Sequence, residues 1–304
     1  MKFLFLLLIL FSAPALSNPG LAVGIVRVGE APEIWTMGPV DAHTPFPIAS
    51  CTKTFTCHLV SQLGLNWDDP LANYLPYSNG QTTLRHLATH TTGTPRADEL
   101  WQSREISQEA LLQEALQLPI TGEPGTHFEY SNVMYLALGR VAEQATGQSY
   151  EALLRRHIWG PLGMEATTIG YPPGTPPGYR WTDDQWVPVP YCNTEPVAPA
   201  GAICAPIEDM VKWVAYQLSI TAEEARIPYS WTPAGDGYGL GWFITDYRGE
   251  IELYHPGGIA GFSSLVALLP ERGIGVVLLT NSESGHELRT LAHQLFDQEV
   301  APKS

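Results

Sequence analysis

Two short runs, the apolar and small residues 21–29 (LAVGIVRVG, polar only at Arg27) and 33–38 (EIWTMG), predict two short strands turning around Gly29-Glu30-Ala31-Pro32. Helical patterns follow. Residues 46–49 (FPIA) read as an extended entry into a mostly apolar helix over 52–63. Further helical patterns cover 82–90, 111–118, 132–146, 150–159 and 207–218, the one over 132–146 closing at Gly147. Asp68-Asp69-Pro70 reads as a helix start, with carboxylates near the positive end. Residues 170–206 are punctuated by Pro and Gly and predict an irregular strap, suited to the wall of a cleft. From Tyr238 the period changes. YGLGWFITDY, EIELYHP, FSSLVALLP and GIGVVLLTN predict four successive strands of an antiparallel meander, and residues 287–300 a closing helix.

Strands at both ends and helices between them predict an α+β fold. One antiparallel sheet, supplied by residues 20–50 and 236–304, is flanked by helices, and a helical lobe of about 60–235 is inserted into it, with an active site in the cleft between them. Hydrophobic residues make up 44% and charged residues 15%, which fits a globular chain and excludes a disordered one. Residues 1–17 have one basic residue, an apolar run and then small residues, the layout of a secretory signal peptide. The expectation is an exported protein, periplasmic or secreted, with residues 18–304 as a single domain and no stable membrane anchor. The formal charge is −15, and −16 once Lys2 leaves with the leader. Such a surface repels polyanions, so a nucleic-acid partner is not expected.

Four lysines occur, at 2, 53, 212 and 303, and only Lys53 has a serine three positions before it. Positions three apart share a helix face, about 5–6 Å apart at Cβ. The Lys53 amine can therefore reach the Ser50 hydroxyl, and a lysine within an apolar helix is desolvated and available as a base. A capping serine beside a surface lysine would give the same tetrad. Tyr-Ser-Asn occurs twice. Tyr77-Ser78-Asn79 runs into Gly80 and reads as a turn, whereas Tyr130-Ser131-Asn132 leads straight into an apolar helix able to hold a phenol and an amide in place. His255-Pro256-Gly257-Gly258 lies on a strand pattern, where Pro implies an edge and the glycines a close approach to the backbone. That approach could be by substrate, with the Gly258 N–H as an oxyanion donor beside that of Ser50.

The remaining candidates are weaker. His86 and His90 have a metal-compatible spacing but no accompanying H-E-x-x-H, and neither a metal nor a cofactor is expected. Cys51 and Cys57 read as core residues, and Cys192 and Cys204 could pair across the strap. Trp181, Trp186, Trp231 and Trp242 could line a cleft or pack in the core.

In this order, Ser50-x-x-Lys53, Tyr130-x-Asn132 and His255-x-Gly257 resemble the motifs of the penicillin-binding-protein and class C β-lactamase family of serine hydrolases. Segments such as FPIASCTKTFTC, TLRHLATHTTGTP and HPGGIAGFSSLVALLPERGIGVVLLTN extend the resemblance over most of residues 20–282. The resemblance implies Ser50 as acylated nucleophile and Lys53 as its proton acceptor. It implies Tyr130 as acid and base, acting as a phenolate or through Lys53, and Asn132 as a ligand of the substrate's amide side chain. Gly258 and Ser50 would bind the oxyanion, and His255 and Gly257 would contribute to substrate binding. Histidine at 255, where such β-lactamases usually carry lysine, is more like the D,D-peptidases and D-aminopeptidases. The expected function is hydrolysis of a D-amino-acid peptide or related amide. A β-lactam or a small ester is an alternative substrate, and a penicillin-binding sensor that acylates without turnover is an alternative of another class.

Overall fold

The computed structural model describes residues 19–78, 80–220 and 226–300; the expected leader at 1–17 lies outside them. Among the described residues, β1 (Leu21–Arg27) and β2 (Glu33–Met37) form the opening hairpin, followed by the short β3 (Phe46–Pro47). The middle of the chain adds β4 (Thr168–Ile169), β5 (Gly178–Thr182), β6 (Gln185–Val189) and β7 (Ile203–Ala205). The last third adds β8 (Ser230–Trp231), β9 (Gly237–Tyr238), β10 (Phe243–Tyr247), β11 (Glu250–Ile259), β12 (Phe262–Leu269) and β13 (Ile274–Thr280). An eight-stranded sheet runs in the order β2-β1-β13-β12-β11-β10-β9-β8 with antiparallel neighbours, so the two chain ends do close one sheet.

Alternation along the strands sends side chains to two apolar layers. On one face Ala22, Val26, Val266, Val277 and Leu279 pack against Met210, Val211 and Val214 of the helix α6, Ile207–Ile220. At Gly24 a Cβ would lie 2.4 Å from Val211 Cγ1, so this helix rests directly on the strand. On the other face Val23, Ile25, Leu265 and Leu278 pack against Leu288, Leu291, Leu295 and Phe296 of the C-terminal helix α7, Gly285–Val300. The helical lobe has its own core, in which α2 (Leu84–Ala88), α3 (Gln108–Leu116) and α4 (Asn132–Thr146) pack with Trp67 and Leu71. The helix α1, Thr52–Gln62, contributes to both cores: Phe55 and Leu59 face the sheet side, and Cys57 and Val60 the helical lobe.

Several boundaries differ from the sequence pattern. Asp68-Asp69-Pro70 leads only into a 3₁₀ turn, Leu71–Asn73, and Asp68 pairs instead with Arg85. The helix expected over 82–90 is five residues long, because His90 takes a left-handed backbone (φ 57°). The helix α5, Tyr150–Leu154, widens into a π turn over Arg155–Trp159. YGLGWFITDY is two strands broken by a turn at Gly239–Trp242, where Gly239 N–H donates to the Trp242 carbonyl. The strap is more ordered than its composition implies: β5 and β6 form a hairpin, and β4 and β7 form a small sheet with β3. Cys192 and Cys204 do not pair. Cys204 is buried in β7, Cys192 is half-buried elsewhere on the strap, and both are free thiols.

Candidate active site

The Ser50 turn is held from three sides. It is a single 3₁₀ turn, Ala49–Cys51, continuous with α1. Ser264 Oγ of β12 donates to the Ile48 carbonyl (2.7 Å), Cys51 Sγ–H donates to the His255 carbonyl (3.1 Å), and Ile48 N–H donates to the Ile203 carbonyl (2.9 Å). Ala49 is forced to φ 44°, a conformation that costs a non-glycine residue about 1–3 kcal/mol. Gly257 explains how the strand tolerates this turn: a Cβ there would lie 2.4 Å from the Ile48 carbonyl and 2.1 Å from Ser264 Oγ. The close approach that the glycines signalled at this position is therefore made by the protein's own backbone.

Lys53 sits one helical turn further on and is fully buried. Its Nζ lies 3.1 Å from Ser50 Oγ, 2.8 Å from Asn132 Oδ1 and 2.9 Å from the Ala200 carbonyl. Burial lowers its pKa from 10.5 to about 7; the Asp98 carboxylate opposes that shift and the Arg96 guanidinium adds to it. A neutral amine has two N–H bonds and one lone pair. With Asn132 and Ala200 accepting the two protons, the lone pair is left facing the Ser50 hydroxyl.

Tyr130 and Asn132 flank the start of α4, and the apolar face of that helix anchors them. The Tyr130 ring lies 4.7 Å beneath Lys53 Nζ. Burial pushes its phenol up, a shift that a hydrogen bond with Ser50 partly offsets, so the resting group is a neutral phenol. His90 supports the ring at a centroid distance of 4.2 Å and a tilt of 35°. Ser131 N–H donates to His90 Nδ1 (3.1 Å), which leaves the histidine proton on Nε2. In the other copy of the motif Tyr77 packs against the helical core and Ser78 N–H donates to the Leu75 carbonyl, while Asn79 lies outside the described residues.

A cavity of about 290 Å³ opens above these groups. Ser50, Tyr130, Asn132 and Gly258 line it, and the strap supplies its far wall through Cys192, Thr194, Val197 and Gly201. Gly258 has open space where a side chain would be. Pro256 stands on an interior strand, yet β10 pairs with β11 only as far as Tyr254, so residues 255–259 have no strand partner on that flank among the described residues. The expected edge is therefore a local one. The structure does not bring His255 and Gly257 to the cavity. Gly257 faces Ile48 and Ala49. His255 is 1% exposed, donates from Nδ1 to the Pro256 carbonyl (2.7 Å) and accepts at Nε2 from the Tyr238 hydroxyl (3.1 Å). Burial and the nearby Lys53 lower its pKa to about 3, so the ring is neutral.

Three residues that the sequence did not single out complete the site. The Asp98 carboxylate accepts from Asn132 Nδ2 (3.0 Å), Trp101 Nε1 (3.0 Å) and Arg96 Nε. This arrangement orients the Asn132 amide so that its oxygen faces Lys53. Arg96, Asp98 and Trp101 all line the cavity. Their one sequence signal is a turn-rich run after residue 90, and Ala97 between them is held at φ 56°. Of the four tryptophans named as candidates, none lines the cavity: Trp242 is core, and Trp181 and Trp231 are exposed. His86 accepts at Nδ1 from its own helix cap, and His90 lies beyond the helix, so the two do not share a helix face.

This architecture matches known proteins over nearly its whole length. The chain is 28% identical to unguisins hydrolase ungD of Aspergillus violaceofuscus, over 93% of this chain and 62% of that one. It spans about three fifths of the length of this relative and of its Aspergillus campestris counterpart. It is 27% identical to a beta-lactamase of Escherichia coli K12, over 86% of this chain and 84% of that one. In fold alone it resembles a D-stereospecific amidohydrolase from Streptomyces sp., with a TM-score of 0.80 at 23% identity and 97% of each chain covered. The Beta-lactamase family model matches residues 13–299, and the chain belongs to that family of serine hydrolases, whose members act on amide or ester bonds.

Proposed function

We propose that the protein hydrolyses a D-amino-acid amide or peptide bond through an acyl-enzyme on Ser50. The observation that carries this reading is the Lys53 amine, buried 3.1 Å from Ser50 Oγ with its other two positions taken by Asn132 and Ala200. As Ser50 Oγ attacks the substrate carbonyl carbon, its proton passes to Lys53. The oxyanion is met by the Ser50 and Gly258 backbone N–H groups, since both residues border the cavity. The C–N bond then breaks, and the leaving nitrogen takes a proton from Tyr130, which is replenished through Lys53. Tyr130 enters as a phenol, so it relays protons and is not a resting phenolate. Water, activated by the same groups, then releases the acid and restores Ser50. Asn132 holds the substrate's amide side chain with its Nδ2 edge. The names of the relatives, a beta-lactamase and a D-stereospecific amidohydrolase, support the amide and D-stereochemical parts of this reading. The layout of residues 1–17, that of a secretory signal peptide, accords with an exported enzyme, which is part of this proposal.

The test is intact-protein mass over time after addition of a fluorescent penicillin, beside the Ser50→Ala variant. A 1:1 adduct on wild type alone is expected, together with release of D-alanine from an acetylated D-alanyl-D-alanine peptide. Hydrolysis by Ser50→Ala near the wild-type rate would overturn the assignment of the nucleophile. A persistent adduct with no peptide turnover would instead identify a penicillin-binding sensor, and ester cleavage alone an esterase. Tyr130→Phe is expected to lower turnover by about 10²-fold or more, as loss of a general acid–base group does, and Tyr77→Phe to leave it near wild type.

A further inference from the structure

Position 255 leaves the cavity without a cation from the sheet side: His255 is neutral, buried and bonded at both ring nitrogens. Lys53 is beneath the surface, with its Nζ already engaged by Ser50, Asn132 and the Ala200 carbonyl. Among the described residues that line the cavity, the one remaining cation is Arg96. Its side chain is 57% exposed, while that of its partner Asp98 is 12% exposed. Arg96 uses Nε on Asp98, and both Nη atoms are without an acceptor among the described residues. Its Cζ stands 5.6 Å from the centroid of the Tyr130 ring, the group proposed to protonate the leaving nitrogen.

We propose that Arg96 forms a carboxylate-binding subsite for the leaving amino acid, placed on the helical lobe and not on the sheet strand. The inference rests on the D-peptide reading above and narrows it to substrates with a free C-terminal carboxylate. In an α-amino acid the carboxylate is one carbon removed from the nitrogen, so a nitrogen held at the Tyr130 hydroxyl brings the carboxylate toward Arg96. The guanidinium is fixed for the task. Asp98 pins its inner edge, the strained backbone at Ala97 sets the directions of both neighbours, and the outer Nη pair presents a fork that matches a carboxylate. Asp98 also borders the cavity, but its carboxylate already accepts from Arg96, Trp101 and Asn132, so its charge is engaged by donors of the protein.

The experiment is titration calorimetry of acetylated D-alanyl-D-alanine and of its C-terminal amide into the full-length Ser50→Ala protein, with and without Arg96→Gln. The free acid is expected to bind about 10- to 100-fold more tightly than the amide, as hydrogen bonds to a charged group do. Arg96→Gln should bring that ratio close to one, and Arg96→Lys, which keeps the charge but not the fork, should retain part of it. A ratio near one in Ser50→Ala, no binding of either peptide, or a ratio unchanged by Arg96→Gln and Arg96→Lys would overturn the subsite. Turnover by the wild-type protein separates the two readings. A high binding ratio without hydrolysis keeps the subsite and removes the D-peptide hydrolase, whereas equal hydrolysis of acid and amide keeps the hydrolase and removes the subsite.

Discussion

At the scale of the residue, the site depends on where the Lys53 proton resides. With a pKa lowered to about 7, the amine becomes a base within the neutral range, so the acylation rate should rise as pH increases through about 7. Its charged neighbours push in opposite directions. Asp98 favours the ammonium, so Asp98→Asn should shift the rising limb to lower pH; Arg96 disfavours it, so Arg96→Gln should shift the limb to higher pH. Rate–pH profiles with a chromogenic ester would show both displacements, and limbs that stay in place would mean that Lys53 is not the titrating base. The same shift has a stability consequence. An unfolded lysine, with a pKa near 10.5, binds more protons between pH 7 and 10.5 than the folded one, so stability rises with pH across that window. Lys53 therefore costs most stability below about pH 7. The melting temperature of Lys53→Met should gain on wild type at pH 6 and lose that advantage toward pH 10.

At the scale of the element, the Ser50 turn and β11 are fitted to one another at Gly257. A methyl group there would have to displace the Ile48 carbonyl and Ser264 Oγ, so Gly257→Ala should cost about 1–3 kcal/mol, the usual range for overpacking. It should also lower acylation of Ser50 by moving the turn. Gly258→Ala meets open space and should leave the melting temperature near wild type while narrowing the cavity. Equal melting temperatures for the two variants would refute this distinction. Much of the frame was legible in the sequence because its signals are local: the short buried runs of β1 and β12 bounded by turn residues, the apolar helix after Ser50, and the helix opened by Asn132. Other features arise from conformations that periodicity does not encode. The β5–β6 hairpin turns through Asp183 and Asp184, both at positive φ, within a run that composition alone reads as irregular. Helix α2 ends early because His90 turns left-handed to place its ring beneath Tyr130. Ala49, His90 and Ala97 are all at positive φ, and all three flank the site. Asp98 and Arg96 went unseen because no spacing rule marks a carboxylate that acts by holding an amide. Histidine at 255 was visible as a departure, but that its ring is turned into the protein is a property of the packing.

At the scale of the molecule, the charge of the chain opposes the ligand that its cavity is proposed to take. Thirty-one acidic residues face sixteen basic ones, a formal charge of −15, so an anionic peptide approaches against a repulsive field and meets Arg96 only at short range. Salt acts unequally on these two interactions. The screening length falls from about 30 Å at 0.01 M to about 10 Å at 0.1 M, which removes most of the long-range repulsion. A guanidinium pinned against Asp98 at the cavity wall is much closer to the bound carboxylate than that length, and its attraction is reduced less. Hence kcat/KM for a free-acid D-peptide should rise severalfold between 10 and 150 mM salt, while the value for the neutral C-terminal amide stays nearly constant. A fall for the acid over the same range would mean that attraction at Arg96 already dominates at long range, with the acidic surface placed far from the approach to the cavity. The acid-to-amide comparison cancels salt effects on folding or on the chemical step, so its slope reports the balance between the acidic surface and Arg96 at the cavity wall.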